Sequence, residues 1–326
     1  MIQYQTKAKE TGPTTFNLTL RSFRIVFMGT PEFAVASLDA LVNAGFNIVG
    51  VVTAPDKPAG RGMKLTQSAV KQYAVQKGLN VLQPEKLKNP GFLEELKSLQ
   101  ADLQIVVAFR MLPEVVWSLP SMGTINLHGS LLPQYRGAAP INWALINGEK
   151  QTGITTFKLK HEIDTGDILL QERIDLDENE TAGELHDRMK IIGAQLLVKT
   201  VQGIFDGKLK ESPQPIITGE QLKHAPRIYT DTCRIDWNNP VNAVHNHIRG
   251  LSPFPGAFTT LNGKVLKIYS SVKEIVSHSL PHGEHQTDGK TFFKFAAQDG
   301  FILVKELQLE GKKRMEISEF LRGYRV

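Results

Sequence analysis

Two short apolar segments in the middle of the chain limit what it can fold into more than any other feature. Residues 103–109 (LQIVVAF) form an almost continuous apolar run, and residues 124–128 (TINLH) form a second one. Strands that are covered on both faces of a parallel sheet have this composition, whereas strands with one wet face alternate apolar and polar residues. A strand–helix–strand pattern over residues 24–52 adds a Rossmann-type unit. We therefore predict an α/β fold with a mostly parallel sheet.

Polar side chains stand at the end of the second apolar segment. Asn126 and His128 are two residues apart, so on a strand they project from the same face, and a Gly-Ser loop follows them. Open α/β sheets bind ligands at the carboxyl ends of their strands, which favours a functional site here. Taken alone, an Asn-x-His pair is weak evidence of a site, because a strand end whose polar groups are satisfied internally explains it better.

Two functions common on such sheets fit this sequence poorly. Dinucleotide binding uses Gly-x-Gly-x-x-Gly in the first turn, but here Gly29 is followed by Thr-Pro-Glu, and Glu32 would place a negative charge near the phosphates. Ser130 lies in Gly-Ser-Leu, which lacks the Gly-x-Ser-x-Gly elbow of a serine hydrolase. Neither a dehydrogenase nor a hydrolase is therefore favoured.

A longer pattern is more specific than the Asn-x-His pair. It consists of NLHGSLLP at residues 126–133, RGAAP at residues 136–140, and Asp164 within IDTGD, 36 residues after His128. The pattern resembles the 10-formyltetrahydrofolate-dependent formyltransferases over roughly residues 23–206. The resemblance implies that 10-formyltetrahydrofolate is the formyl donor and that the catalytic residues are Asn126, His128 and Asp164.

The same resemblance assigns the donor pocket. The loop after the Asn-His strand would contact folate, and the backbone after the 103–109 strand would line the pterin pocket. The implied cofactor-binding residues are Ser130, Leu131, Leu132, Pro133, Arg110, Met111 and Leu112. For Leu131 and Leu132, core packing is an alternative that is compatible with folate contact.

A long irregular connection over residues 54–64 (APDKPAGRGMK) carries three basic residues, Lys57, Arg61 and Lys64. From charge alone it could be an ordinary solvated loop, although a glycine-flanked arginine also suits phosphate contacts in a nucleic-acid groove. The segment resembles the insertion by which the tRNA-specific members of the family enter the acceptor arm. That resemblance implies that Lys57, Arg61 and Lys64 bind tRNA.

The chain divides by composition into a leader (1–22), a catalytic domain (23–206), a proline-rich linker (207–226) and a second domain (227–326). Alternating segments near residues 257–260, 264–269, 292–296 and 301–307 predict a small β-barrel of OB type. This last part holds 14 Lys and Arg against 10 Asp and Glu, whereas residues 1–206 hold 21 of each. The asymmetry suggests a polyanionic partner, although a modest solubilising excess is an equally good explanation.

The family resemblance, with the insertion around Arg61 and the basic second domain, implies transfer of a formyl group to the α-amino group of methionine on charged initiator tRNA. A single cysteine, Cys233, excludes an internal disulfide and fits a reducing, cytoplasmic compartment. We expect no metal, no membrane association and a monomer. Two alternatives stay open: a formyltransferase for an amino sugar or purine precursor, and a folate-sensing nucleic-acid-binding protein.

Overall fold

The structure is a computed structural model that describes residues 22–59, 64–216 and 222–324. The described residues divide into two compact units. The first runs to Asn126 and includes Leu197–Lys210, and the second comprises Leu127–Leu196 and the residues from Glu211 onward. The predicted leader lies outside the described residues apart from Ser22. The predicted domain boundaries at residues 206 and 227 stay predictions.

A parallel sheet forms the first unit, with helices between its strands. Its elements in chain order are β1 (Arg24–Gly29), α1 (Glu32–Asn43), β2 (Asn47–Val52), β3 (Lys57–Ala59), β4 (Lys64–Thr66), α2 (Ala69–Gln76), β5 (Val81–Leu82), α3 (Pro90–Ser98), β6 (Leu103–Val107), α4 (Glu114–Trp117) and β7 (Thr124–His128). The order β7-β6-β1-β2-β5 has only parallel pairs, and β3 pairs with β4 as a separate antiparallel ribbon. All five residues of β6 are buried, as its apolar composition predicts.

The second unit begins with the elements that follow β7 in the chain. These are β8 (Arg136–Gly137), α5 (Pro140–Ile146), β9 (Gln151–Lys158), β10 (Ile168–Asp175), α6 (Ala182–Phe205) and β11 (His224–Ala225). Of these, helix α6 continues from Leu197 into residues of the first unit. Strands β9 and β10 pair antiparallel, and β8 pairs in parallel with β11. The segment after α6 therefore returns to the loop that follows β7.

The rest of the second unit is an antiparallel half-barrel. It contains α7 (Val241–Leu251), β12 (Ala257–Leu261), β13 (Lys264–Ile275), β14 (His285–Thr287), β15 (Phe293–Ala297), β16 (Gly300–Leu309), β17 (Met315–Glu316) and α8 (Ile317–Gly323). Its sheet has the order β12-β13-β16-β15-β14, with β17 on β16. Val244 and Ile248 of α7 pack into one core with the sheet, where Trp237 stacks on Phe295 with ring centroids 4.8 Å apart.

The predicted fold class, a mostly parallel Rossmann-type sheet followed by a small C-terminal β-barrel of OB type, is confirmed in its two-part architecture, and the predicted barrel takes the form of an antiparallel half-barrel. One strand end differs from the prediction. Strand β6 ends at Val107 rather than at residue 109, because Ala108 has a φ of +47° and leaves the extended conformation. Among the described residues, no helix is both long enough and apolar enough to cross a membrane.

Candidate active site

Strand β7 delivers the imidazole of His128, which is only 7% exposed. The ring Nε2 lies 2.9 Å from the backbone carbonyl oxygen of Tyr135. A carbonyl oxygen can only accept, so Nε2 must carry a proton and donate it to Tyr135. In the neutral ring, Nδ1 is then the nitrogen with a free lone pair. The structure thus selects the tautomer whose proton-accepting nitrogen is Nδ1.

The Asp164 carboxylate faces that nitrogen. Its Oδ2 lies 3.8 Å from Nδ1 of His128, and its side chain is 16% exposed. This distance is too long for a direct hydrogen bond, although it places a negative charge beside the site where the ring takes up a proton. The backbone N–H of Gly137 donates to the same Oδ2 at 2.9 Å and fixes the orientation of the carboxylate. The structure therefore brings His128 and Asp164 together across 36 residues of sequence.

Asn126 lies two residues before His128 on β7 and is half-buried. Their alternation along one strand places both side chains on the same face. The set of an amide, an imidazole and a carboxylate can stabilise an oxyanion and move a proton. Among the described residues, no group of three or more His, Cys, Asp or Glu side chains is arranged to hold a metal ion.

The predicted folate loop, Ser130 to Pro133, is held by the hydroxyl of Thr155 on β9. This hydroxyl donates to the Ser130 carbonyl oxygen at 2.6 Å and accepts from the Leu132 N–H at 3.1 Å. It also accepts from the Gln171 side-chain amide at 2.9 Å, and Gln171 donates to the Leu132 carbonyl oxygen at 3.0 Å. The side chain of Leu132 is buried, so the core-packing reading applies to it, whereas Leu131 is half-buried.

The predicted pterin-pocket backbone leaves β6 at the positive-φ residue Ala108. Arg110 lines a cavity of about 690 Å³ together with residues of the turns after β1 and β2. Its guanidinium donates to the backbone carbonyl oxygens of Glu85, at 2.8 Å, and Pro84. The Arg110 side chain is thus hydrogen-bonded to the loop before α3. This contact is compatible with the prediction, which gave only the backbone of Arg110 a place in the pterin pocket. Met111 is 75% exposed.

The predicted tRNA-binding loop is a β-ribbon where it is described. Lys57 is exposed at the start of β3, and Lys64 begins β4. Arg61 lies outside the described residues. At the foot of the ribbon, Asp56 accepts hydrogen bonds from Lys71 at 2.6 Å and Gln83 at 2.8 Å, and these bonds lower the pKa of its carboxyl group. These contacts attach the ribbon to helix α2 and to the loop after β5.

Sequence reasoning missed Gln214, and it gave no role to Arg136, which it used only as the first residue of the RGAAP motif. Gln214, in the segment predicted to be a linker, donates from Nε2 to the backbone carbonyl oxygens of Asp164 and Gly166, both at 2.8 Å. Arg136 donates to Oε1 of Gln214 from Nη2 at 2.6 Å and from Nε at 3.2 Å. The only local signal was the Ser-Pro-Gln-Pro sequence at 212–215, which indicates an extended segment and gives no contact partner.

A mostly parallel α/β sheet with an imidazole–carboxylate pair at the end of one of its strands, followed by an antiparallel half-barrel, is the arrangement of an α/β enzyme. The model of the formyl transferase family matches residues 23–201, and that of the formyl transferase C-terminal domain matches residues 227–325. The chain belongs to the formyl transferase family.

Proteins similar to this one match most of the chain. Methionyl-tRNA formyltransferase of Parabacteroides distasonis is 55% identical over 310 residues, which cover 93% of this chain and 96% of that protein. The methionyl-tRNA formyltransferase of Flavobacterium johnsoniae is 48% identical over 308 residues, with 93% and 97% covered. The solved N-formyltransferase of Helicobacter canadensis, in complex with folinic acid and dTDP-3-aminofucose, has a TM-score of 0.65 at 21% identity and covers 86% of this chain and 98% of its own. That likeness concerns the fold alone.

Proposed function

We propose that this protein is a methionyl-tRNA formyltransferase, which transfers the formyl group of 10-formyltetrahydrofolate to the α-amino group of methionine on charged initiator tRNA. The observation that carries the proposal is the His128–Asp164 pair, with the Nδ1 lone pair of the ring facing a fixed carboxylate at 3.8 Å. The near-complete match to proteins named methionyl-tRNA formyltransferase supports the choice of acceptor. We propose that it acts in the cytoplasm as a monomer.

Formyl transfer moves an acyl group between two nitrogens. The neutral methionyl amine attacks the formyl carbon, and the carbonyl electron pair moves to oxygen. Asn126 donates a hydrogen bond to this developing oxyanion from a group that does not change charge. Nδ1 of His128 takes the proton that the amine loses, and the proton then goes to N10 of the folate as its bond to carbon breaks. The incoming amine is the nucleophile, so no enzyme nucleophile is needed.

Asp164 has an electrostatic role in this scheme. Its charge, held in place by the Gly137 N–H, stabilises the imidazolium that forms when Nδ1 is protonated. The positively charged ring in turn stabilises the oxyanion. The Ser130–Pro133 loop, held by Thr155 and Gln171, would bind the folate donor beside this pair.

For the acceptor, we propose that the β3–β4 ribbon contacts the tRNA backbone through Lys57, Arg61 and Lys64. Lys57 is exposed at the base of the ribbon, where its ammonium is available to phosphate. Each phosphate contact releases counterions, so activity on charged tRNA should fall steeply as salt rises. The alternative of a small amino acceptor predicts a flat salt response.

The deciding experiment supplies the purified protein with 10-formyltetrahydrofolate and either charged initiator tRNA or a nucleotide-linked amino sugar. We expect N-formylmethionyl-tRNA as the product, with uncharged tRNA as a control that accepts no formyl group. The Lys57→Ala variant should raise KM for charged tRNA while leaving the KM for the folate donor unchanged. Formylation of the amino sugar with no formylation of the charged tRNA would refute the proposal.

A further inference from the structure

We propose that Gln214 is a positioning residue for Asp164, so that the segment leading to the half-barrel forms part of the active site. The inference rests on the proposed function, since it concerns the carboxylate assigned to proton transfer. Gln214 lies 50 residues from Asp164 in sequence, yet its side-chain amide bridges the carbonyl oxygens of Asp164 and Gly166.

The turn that carries Asp164 requires external support. Asp164 has a φ of +55°, which lies in the left-handed region that residues other than glycine adopt at a cost. Gly166 packs so closely that a Cβ there would lie 1.5 Å from the Lys158 carbonyl oxygen. The turn is therefore held in an unfavourable backbone conformation and a tight space, and such conformations persist only where surrounding contacts fix them.

Arg136 determines which way the Gln214 amide faces. A guanidinium only donates, so the atom of Gln214 that meets both Nη2 and Nε of Arg136 must be the acceptor Oε1. The Nε2 donors are then directed at the two carbonyl oxygens of the turn. Arg136 and Gly137 form β8, and the Gly137 N–H binds the Asp164 carboxylate directly. Strand β8 thus fixes Asp164 twice, once at its side chain and once through Gln214 at its backbone.

Backbone contacts hold Gln214 in place. Two residues earlier, Ser212 exchanges two hydrogen bonds with Ile168, at 2.8 and 2.9 Å, at the start of β10. Further along, β11 pairs with β8. The described parts of this segment are therefore bonded to β10, which follows the Asp164 turn in the chain, and to β8, which binds the Asp164 carboxylate. Loss of the Gln214 amide should free the turn and let the carboxylate drift from His128.

The test compares Gln214→Ala with Gln151→Ala, a matched control whose amide makes one exposed hydrogen bond to Asp175 at 2.9 Å. We expect Gln214→Ala to lower kcat for charged tRNA roughly 10- to 100-fold, with KM for the folate donor within about twofold of wild type, because misplaced catalytic groups cost rate. Gln151→Ala should keep wild-type kcat. Gln214→Glu, which replaces the donor by an acceptor and keeps the contact with Arg136, should lose as much as Gln214→Ala and serves if the alanine variant does not fold.

A double-mutant cycle shows whether Gln214 acts through Asp164. In an Asp164→Asn background, Gln214→Ala should lower kcat by less than about twofold, because coupled residues are not additive. A loss equal to that in the wild-type background would overturn the proposal.

A second measurement does not depend on turnover. The ring-nitrogen chemical shifts of His128 in ¹⁵N-labelled protein without substrate should move in Gln214→Ala toward those of Asp164→Asn and stay unchanged in Gln151→Ala. Wild-type shifts in Gln214→Ala would overturn the inference. If the protein formylated neither charged initiator tRNA nor the amino sugar, the proposed function would be refuted. The His128 chemical shifts would still decide whether Gln214 positions Asp164.

Discussion

Replacing Asp164 by Asn tests the central electrostatic claim with the smallest change in shape. The asparagine side chain keeps an oxygen that can accept from the Gly137 N–H, so the turn retains its contact while the charge is lost. Asp164 lies 3.8 Å from His128, and an effective dielectric constant of about 20 gives an attraction of about 4 kcal/mol between a carboxylate and an imidazolium. Each 1.36 kcal/mol corresponds to roughly a factor of ten in rate.

Asp164 is partly exposed, so solvent screening reduces this attraction, and we expect kcat to fall by roughly 10²- to 10³-fold. The dissociation constant for the folate donor, measured by titration calorimetry, should change by less than about twofold. Single-turnover formylation of charged tRNA separates the chemical step from product release.

Asp167→Asn is the matched control for this prediction. Asp167 belongs to the same turn, but its carboxylate pairs with the exposed Lys160 at 2.8 Å, and exposed ion pairs contribute little. We expect this variant to keep wild-type kcat. If Asp164→Asn retained more than about a tenth of wild-type kcat, or if both variants lost the same factor, the assigned role of the Asp164 charge would be wrong.

Three further predictions concern the packing of the second unit. Gly153→Ala would place a Cβ 2.4 Å from a methyl carbon of Leu131 and closer still to the backbone carbonyl oxygen of Glu172. Because this clash would displace the predicted folate loop, we expect a raised KM for the folate donor in steady-state kinetics. An unchanged KM would contradict this packing argument. Arg249 is buried and donates to the Glu180 carbonyl oxygen at 3.1 Å. Arg249→Met would leave that oxygen without this donor, so urea denaturation should show a free energy of unfolding lower by about 2 kcal/mol. A loss below about 0.5 kcal/mol would count against this role of Arg249. Burial lowers the pKa of His245 to about 4, below the 6.5 of an unfolded histidine, so the unfolded state takes up a proton first as pH falls. The contribution of neutral His245 to the free energy of unfolding should therefore be fully present above pH 6.5 and should decline between pH 6.5 and 4. Denaturant melts over this pH range should show a weaker decline in His245→Gln than in the wild type. Identical pH profiles for the two proteins would refute this.

The sequence by itself determined the fold class and named candidate site residues. The apolar composition of residues 103–109 and 124–128 predicted strands covered on both faces, and a parallel sheet with helices between its strands provides that cover. The alternating segments after residue 257 likewise indicated strands of an antiparallel sheet. The family resemblance named His128 and Asp164 as catalytic candidates, and the structure places these two side chains 3.8 Å apart.

Only the tertiary structure decided how the pair is held. The tautomer of His128 depends on the Tyr135 carbonyl oxygen, and the orientation of Asp164 depends on the Gly137 N–H and on Gln214. Such contacts are made by backbone groups, which every residue possesses, or across 50 residues of sequence, so no local pattern carries them. The segment around residue 214 is rich in proline, and this composition predicts an extended chain without internal hydrogen bonds. An extended segment has the same composition whether it is a free spacer or lies against other parts of the protein, so the sequence predicted a spacer. The partners of such a segment are chosen by the surface onto which the rest of the chain folds it.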